Sequence, residues 1–196
     1  NHVEANPINQ FKQWFNQAIG DTTFEANAMV LSTVSSENKP SSRVVLLKQI
    51  KKDGFVFFTN YESKKSQDLL KNSKAAVNVF WPDLDRQIRL RVRVEKLSSK
   101  LSDDYFRTRP RASQIGAWAS MQSSGLESRS VLEKKIEELE SKFAEGDVPR
   151  PEFWGGYALI PDYVEFWQGR PSRLHDRVIY EKNLHDEGWS IKRLYP

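Results

Sequence analysis

The sequence predicts a mainly β protein, a β-barrel with helices packed outside it, formed as one domain over residues 1–196. Three observations favour this class: many short segments alternate apolar and polar residues with period two, few helical segments separate them, and no Gly-x-Gly-x-x-Gly motif follows a strand. A doubly wound parallel sheet needs a helix between most of its strands, and this pattern lacks them. A chain of 196 residues is long enough to bury a core.

The first half of the chain is predicted to be one helix followed by strands. Residues 6–20 predict the helix, because Asn6 can cap it, Pro7 suits its first position and Gly20 suits a left-handed end. Strands are predicted at 28–34, 43–50, 55–59, 75–81 and 86–97, with a turn at 53–54 and a short helix at 63–70. The strand at 86–97 is the clearest, since its buried apolar residues alternate with a wet, basic face.

The second half is predicted to be a helical middle followed by more strands. Two short helices with a break at Pro110 precede a longer helix at 126–143. Strands are then predicted at 156–160, 163–167, 177–181 and 189–194.

Composition excludes several kinds of chemistry. The chain has no cysteine, which rules out disulfides, thiolate catalysis and cysteine-based zinc sites. Its three histidines, His2, His175 and His185, are scattered, so no metal site is expected. The net charge of +4 allows an anionic ligand but does not by itself indicate nucleic acid. The apolar runs are too short to cross a bilayer, and the protein is predicted to be cytoplasmic without a membrane partner.

Two basic clusters lie in the first half. Arg43 and Lys48, five residues apart on a predicted strand, should face opposite ways and serve different phosphates, or else be two surface charges. Ser63 can cap the helix whose first turn carries Lys64 and Lys65. Cations are poorly placed beside the positive end of a helix, and an anion there would relieve the conflict. A solvated first turn is the alternative.

Two polar clusters lie in the helical middle. Tyr105 and Arg109 are one helical turn apart and, with Ser113, offer a guanidinium fork and two hydroxyls for a phosphate monoester. The alternative is a charged surface with a packed tyrosine. Gln122 and Ser123 offer amide and hydroxyl contacts, or simply begin the long helix.

The densest cluster is "EFWQGRPSRLHDR", residues 165–177. After a Gly-Arg-Pro turn, Arg173, His175 and Arg177 alternate and could share one face, with Asp176 on the other. Like charges on one face repel, which makes a missing anionic or aromatic partner plausible. A satisfied surface turn is the alternative.

These clusters occur in an order that resembles the pyridoxine (pyridoxamine) 5′-phosphate oxidase family over residues 7–196. The segments that carry the resemblance are "SSRVVLLK", "FFTNYESKK", "RQIRLRVRVEKL", "YFRTRPRASQIGAW", "QSS", "FWGGY", "EFWQGRPSRLHDR" and "RLYP". The resemblance implies an FMN-binding split β-barrel and a homodimer with FMN at the subunit interface. It also implies oxidation of pyridoxine 5′-phosphate or pyridoxamine 5′-phosphate by O₂ to pyridoxal 5′-phosphate and H₂O₂, in vitamin B6 biosynthesis and salvage.

The resemblance assigns roles to matching positions. Contacts to FMN are implied for Arg43, Lys48, Phe58, Thr59, Lys64, Lys65, Gln87, Gln122, Ser123, Trp167 and Arg177. Among these, Arg43, Lys64, Lys65 and Ser123 would surround its phosphate. Substrate contacts are implied for Lys48, Tyr105, Arg109, Ser113, Arg173 and His175. The catalytic groups would be Arg173 and His175, which orient the pyridine ring, and no strong general base is expected because the flavin carries the chemistry.

Two residues depart from the family pattern. Val92 stands where glycine is usual, and Arg91 replaces a residue that is more often acidic or apolar. Because glycine in a strand often marks a bulge, these departures leave the geometry near Gln87 open. Two other functions stay as alternatives: a flavin-binding split barrel that is non-catalytic or acts differently, and a basic, aromatic barrel that binds single-stranded nucleic acid.

Overall fold

The computed structural model describes residues 3–21, 25–183 and 188–196. Within these residues the helices are α1 (Pro7–Asp21), α2 (Lys64–Lys71), α3 (Ser99–Arg107), α4 (Arg111–Ala119) and α5 (Arg129–Lys142). The strands are β1 (Ala28–Val34), β2 (Pro40–Leu46), β3 (Gln49–Ile50), β4 (Phe55–Asn60), β5 (Lys74–Trp81), β6 (Arg86–Lys96), β7 (Trp154–Gln168), β8 (Asp176–Lys182) and β9 (Trp189–Leu194). Across these ranges, no helix has the length and apolar character that a membrane span requires.

The strands form one antiparallel sheet that curls on itself. The order along the sheet is β2-β1-β5-β6-β7-β4-β3. β2 and β3 lie at opposite ends of this order, yet only Leu47 and Lys48 separate them in the chain. The sheet therefore has to curl until its two ends are neighbours. This confirms the predicted mainly β, barrel-type class with helices outside.

The long strand β7 is where the barrel splits. It pairs with β6 over nearly its whole length. Its first half, residues 154–159, also pairs with β4, whereas its second half, residues 163–168, pairs with β8. The sheet therefore forks at the middle of β7, and β8 and β9 continue away from the barrel.

Two apolar clusters fill the fold. The larger lies inside the curled sheet and under α1, where the Phe11 ring sits 4.5 Å from that of Phe55. The buried indole of Trp81 donates to the carbonyl of Ala26 and ties β5 to the segment before β1. The smaller cluster packs the helical middle against the start of β7, around Trp154. α1 thus packs near the start of β4, and the helical middle packs near the start of β7.

The prediction of one strand over 43–50 was wrong, because the chain leaves β2 at Leu46. The amide of Leu47 donates to Asn27, and that of Lys48 donates to the carbonyl of Val56 on β4. Arg43 and Lys48 therefore do not lie on one strand, and the argument that they face opposite ways does not apply.

The two strands predicted at 156–160 and 163–167 are one strand, β7. Pro161 does not end it, because the register with β6 shifts between Arg91 and Val92, and Asp162 is the extra residue on the β7 side. A bulge is a position that tolerates a proline within a sheet.

Of three predicted helix-end features, two differ from the structure and one is confirmed. Gly20 is helical and α1 runs on to Asp21, so the predicted left-handed end is wrong there. Asn6 does cap α1, since its side-chain oxygen accepts from the amide of Ile8. Ser63 precedes α2 as predicted, but its hydroxyl makes no capping bond and donates instead to the carbonyl of Asn60.

The basic face predicted for β6 carries paired charges. Arg89 pairs with the buried Glu165 and Arg91 with Asp162, while Arg93 pairs with its neighbour Glu95. The departures from the family pattern are absorbed here: Val92 is buried in the core, and Arg91 lies beside the bulge.

Candidate functional site

A cavity of about 430 Å³ lies between the end of β2, strand β4 and the helical middle. It brings together most of the residues predicted in the first half of the chain and in the helical middle. Those on its wall are Lys48, Phe58, Thr59, Lys65, Tyr105, Arg109, Ser113 and Gln122. Residues from four separate basic and polar clusters in the sequence therefore share one space.

Lys65 is a buried cation at this cavity, and no carboxylate of the described residues forms an ion pair with it. Its ammonium group donates to Thr59 Oγ1 and Ser63 Oγ at 3.0 Å each and to Gln122 Oε1 at 2.7 Å, all of them neutral oxygens. Burial, with the charge of Arg43 as the second cause, lowers the pKa of Lys65 to about 8. A bound anion would offset the effects of burial and of Arg43 on the Lys65 ammonium group, because it would supply the missing countercharge.

Arg43 and Lys64 adjoin Lys65 and share one carboxylate. Lys64 Nζ lies 3.0 Å from Asp68 Oδ1. Arg43 Nη1 donates to the hydroxyl of Thr33, which in turn donates to Asp68 Oδ2. Burial disfavours ionisation of Asp68, but the hydrogen bonds from Lys64 and Thr33 and the nearby cations outweigh it and lower its pKa. The cluster therefore holds three cations and one carboxylate, so its net charge is positive.

Arg109 is a second cation in need of an anion. Its Nη1 atom is buried without a hydrogen-bond partner among the described residues, and its guanidinium lies 4.5 Å from the ring centre of Trp154. Burial lowers the pKa of Arg109, and the hydroxyl of Tyr105 acts against this. Arg109 lies beyond the end of α3, so the predicted shared helix face is wrong, although both side chains do reach one cavity.

An aromatic stack forms the apolar wall of this space. The ring centres of Phe58 and Tyr105 are 3.8 Å apart and the rings are inclined by 14°. Trp154 lies nearly parallel to both rings and is closer to Phe58. Gly156 faces Phe58 across the strand pair, and a Cβ there would come within 2.8 Å of the Phe58 ring. Glycine at this position therefore leaves room for the Phe58 ring.

The loop before α5 carries Gln122 and Ser123. Gln122 Oε1 accepts from both Thr59 and Lys65, which ties the loop to β4. Ser123 adopts a φ of 73°, a left-handed conformation that non-glycine residues rarely take. Both side chains are exposed.

The other predicted residues form a second group on the outer face of the sheet. Gln87, Trp167 and Arg177 are direct cross-strand neighbours on β6, β7 and β8. Arg177 Nε donates to the buried Glu165 at 2.7 Å, and Arg89 approaches the other oxygen of Glu165. Burial opposes ionisation of Glu165, but the hydrogen bond from Arg177 and its charge contribute to a lowered pKa.

Arg173 and His175 belong to this second group but not to a strand. β8 begins at Asp176, so Arg173 and His175 precede it, and the predicted alternation that would place them on one face with Arg177 does not apply. Arg173 lies in a 3₁₀ turn in which it and Ser172 both have positive φ values, near 60°. His175 packs on Trp167 with 4.5 Å between ring centres, and its Nδ1 accepts from the backbone amide of Arg170. The proton of a neutral His175 is therefore on Nε2.

The two groups are far apart within one chain. Trp154, at the first cavity, begins β7, and Trp167, in the second group, lies near its end. Because a strand rises about 3.3 Å per residue, roughly 40 Å of strand separates them. These two tryptophans therefore mark opposite ends of β7.

Sequence reasoning missed Thr33, Asp68 and Glu165. The spacing of Lys64 and Asp68, four residues apart on a short helix, is a signal that could have found the second of these. Thr33 and Glu165 gave none, because their partners come from other strands and depend on a register that local patterns do not contain. His2 and His185 lie outside the described residues; around the remaining histidine and the described acids no metal-binding cluster forms.

Two family models match the chain. One, described as pyridoxamine 5′-phosphate oxidase, matches residues 15–143, and one, described as the pyridoxine 5′-phosphate oxidase C-terminal dimerisation region, matches residues 154–196. A curated pyridoxine/pyridoxamine 5′-phosphate oxidase from Cupriavidus taiwanensis is 52% identical over 99% of this chain and 91% of its own length. One from Trichormus variabilis is 49% identical, with 99% and 90% covered.

Solved structures share the fold. PhzG from Burkholderia lata, in complex with tetrahydrophenazine-1-carboxylic acid, superposes with a TM-score of 0.93 at 29% identity and covers 98% of this chain and 94% of its own. A pyridoxamine 5′-phosphate oxidase-related, FMN-binding protein from Nostoc punctiforme has a TM-score of 0.76 at 16% identity, with 95% and 97% covered. The second likeness supports the fold alone.

Proposed function

The chain belongs to the pyridoxamine 5′-phosphate oxidase family, and on this premise we propose that it oxidises pyridoxine 5′-phosphate or pyridoxamine 5′-phosphate to pyridoxal 5′-phosphate with FMN and O₂. The oxidised amine substrate would be hydrolysed by water and release ammonia, and both substrates would give H₂O₂. We also propose that residues 1–196 act as one FMN-binding domain in the cytoplasm.

The observation that carries the proposal is a pair of cations in one cavity that both lack an anion. Lys65 contacts only neutral oxygens, and Arg109 has a buried nitrogen without a partner. Neither has a carboxylate partner among the described residues. Phosphate is a strong acceptor for both groups, because it takes several charge-assisted hydrogen bonds at once. Two phosphorylated molecules bound side by side would satisfy both cations.

The residues around these cations divide between the two ligands in this proposal. Arg43, Lys64 and Lys65 would hold the FMN phosphate, with Gln122 holding Lys65 in place. Lys48, Tyr105, Arg109 and Ser113 would hold the substrate phosphate, and the Phe58 ring would lie beside the flavin. The chemistry that FMN would supply there is that of a hydride acceptor for the substrate, which O₂ would reoxidise. The protein contributes orientation and charge complementarity.

The second group would complete the site from another protomer. Gln87, Trp167 and Arg177 would contact the flavin, and Arg173 and His175 the pyridine ring. Trp154 and Trp167 lie at opposite ends of β7, and a homodimer would bring the first cavity of one protomer beside the second group of the other. The match of residues 154–196 to a dimerisation region supports this arrangement. With its proton on Nε2, His175 would donate a hydrogen bond to the substrate rather than remove a proton.

A second candidate function is oxidation of a different small aromatic acid. PhzG, which is similar in fold over nearly the whole chain, is solved with a ligand that bears a carboxylate instead of a phosphate. Arg109 could bind either anion. The curated relatives near 50% identity favour the phosphorylated B6 vitamers.

The test is to purify the protein, identify the released flavin and follow O₂ consumption with each substrate. We expect a yellow protein that releases FMN on denaturation and consumes O₂ with pyridoxine 5′-phosphate but not with unphosphorylated pyridoxine. A colourless protein that FMN cannot reconstitute would refute the proposal. Bound FMN with turnover of tetrahydrophenazine-1-carboxylic acid alone would favour the second candidate.

A further inference from the structure

The hydroxyl of Thr33 and the carboxylate of Asp68 form a buried pair beside the cationic cluster. Thr33 is 1% exposed and Asp68 is 2% exposed. Arg43 Nη1 donates to Thr33 Oγ1 at 2.8 Å, and Thr33 Oγ1 donates to Asp68 Oδ2 at 2.8 Å. A guanidinium only donates and a hydroxyl has one proton, so the direction of both bonds is fixed. Arg43 is thereby tied, through Thr33, to a buried negative charge.

The other oxygen of the same carboxylate fixes a second cation. Asp68 Oδ1 accepts from Lys64 Nζ at 3.0 Å, although the Lys64 side chain is otherwise 57% exposed. A long exposed side chain samples many rotamers in water, and this bond selects one of them. A carboxylate at an anion site reduces the attraction for the anion. Its presence there therefore calls for a role other than countercharge.

We propose that Thr33 and Asp68 are positioning residues that hold Arg43 and Lys64 in the geometry that binds the phosphate of FMN. This rests on the proposed function, since it assumes that the cluster receives that phosphate. Neither residue needs to touch FMN. Donors that are already arranged bind an anion more tightly, because less side-chain freedom is lost on binding.

A purely structural role makes a different prediction. Thr33 lies on β1 and Asp68 on α2, so the same bond also fastens the helix to the sheet. A fastening would support the binding of any flavin, with or without a phosphate. A positioning role affects FMN and leaves riboflavin, which has no phosphate, nearly unchanged. The ratio of the two affinities therefore separates the roles.

The main experiment titrates flavin-free protein with FMN and with riboflavin and follows the flavin fluorescence. We expect Thr33→Val, which keeps the shape but loses the hydroxyl, to weaken FMN binding about tenfold, the size of one charge-assisted hydrogen bond. Riboflavin binding should change by less than about twofold. Thr33→Ser, which restores the hydroxyl, should recover the wild-type ratio.

A second variant decides the matter if Thr33→Val does not fold. Asp68→Asn removes the charge at nearly constant shape and should lower FMN affinity at least tenfold, again with riboflavin unaffected. Its matched control is Asp104→Asn, which removes an exposed carboxylate four residues after Lys100 on α3 and should change neither affinity. An equal loss of FMN and riboflavin affinity, or no loss, overturns the inference. A wild-type protein that does not bind FMN overturns the proposed function instead.

Discussion

The affinity of the wild-type protein for FMN should fall as the pH rises above about 8. The reason is Lys65, whose pKa burial and the charge of Arg43 lower to about 8 in the ligand-free protein. The ammonium form attracts the FMN phosphate, whereas the amine form does not. A pH increase therefore removes one of the three cations that the proposal assigns to that phosphate.

The size of the effect follows from that pKa. With a pKa of about 8, the ammonium form of Lys65 makes up about nine-tenths of the protein at pH 7 and about one-tenth at pH 9. If only the ammonium form binds tightly, FMN affinity should be about tenfold lower at pH 9 than at pH 7. The phosphate itself does not contribute, because its second ionisation, near pH 6, is already complete.

The assay measures FMN affinity between pH 7 and pH 9 by flavin fluorescence, for wild type and two variants. Lys65→Arg keeps a positive charge throughout and should show a flat profile. Lys65→Met should bind weakly at every pH, also with a flat profile. Riboflavin serves as the control ligand. A wild-type profile as flat as that of Lys65→Arg would refute the reasoning, and so would an equal decline for riboflavin.

Three further results are expected. Gly155→Ala should lower the free energy of unfolding, measured in urea, by about 1–3 kcal/mol, because its Cβ would collide with the hydroxyl of Tyr61. The control is Gly20→Ala, whose Cβ meets nothing within 4 Å and which should not destabilise the protein. Because the pKa of Glu165 is lowered on folding, wild type should lose more stability than Glu165→Gln as the pH falls from about 5 to about 3; equal losses would contradict this. Arg173→Ala should impair substrate turnover far more than FMN retention, and Arg43→Ala should do the reverse; the opposite pattern would contradict the assignment of Arg43 to FMN and of Arg173 to the substrate.

The fold could be predicted wherever a local pattern decided it. The strand at 28–34 matches β1 because its burial alternates with period two. The errors came where distant partners decide. Residues 43–50 look continuous, but Lys48 pairs with β4 and so ends β2 early. Pro161 looks like a strand end, and a bulge opposite Val92 accommodates it.

The residues of the site could be predicted in part as well. Lys64 and Lys65 stood out because cations in the first turn of a helix are visible in a single sequence. Arg109 was singled out by its spacing from Tyr105, although the two do not share a helix. The spacing of Lys64 and Asp68 offered a signal for one carboxylate, but the longer-range contacts of the carboxylates could not be found in this way. Asp68 reaches Arg43 only through Thr33, and Glu165 reaches Arg177 across a strand pair. Those contacts exist only after the sheet has formed.

The central claim, that each active site combines the first cavity of one protomer with the second group of its partner, is tested most directly by mixing two inactive variants. Arg109→Ala damages the first cavity and Arg177→Ala the second group. In a two-fold dimer, a mixed pair has one fully damaged and one fully intact site. Because random mixing makes about half of the dimers mixed, activity should return to about a quarter of wild type. Activity no higher than that of the two parent variants would show that each site lies within one chain.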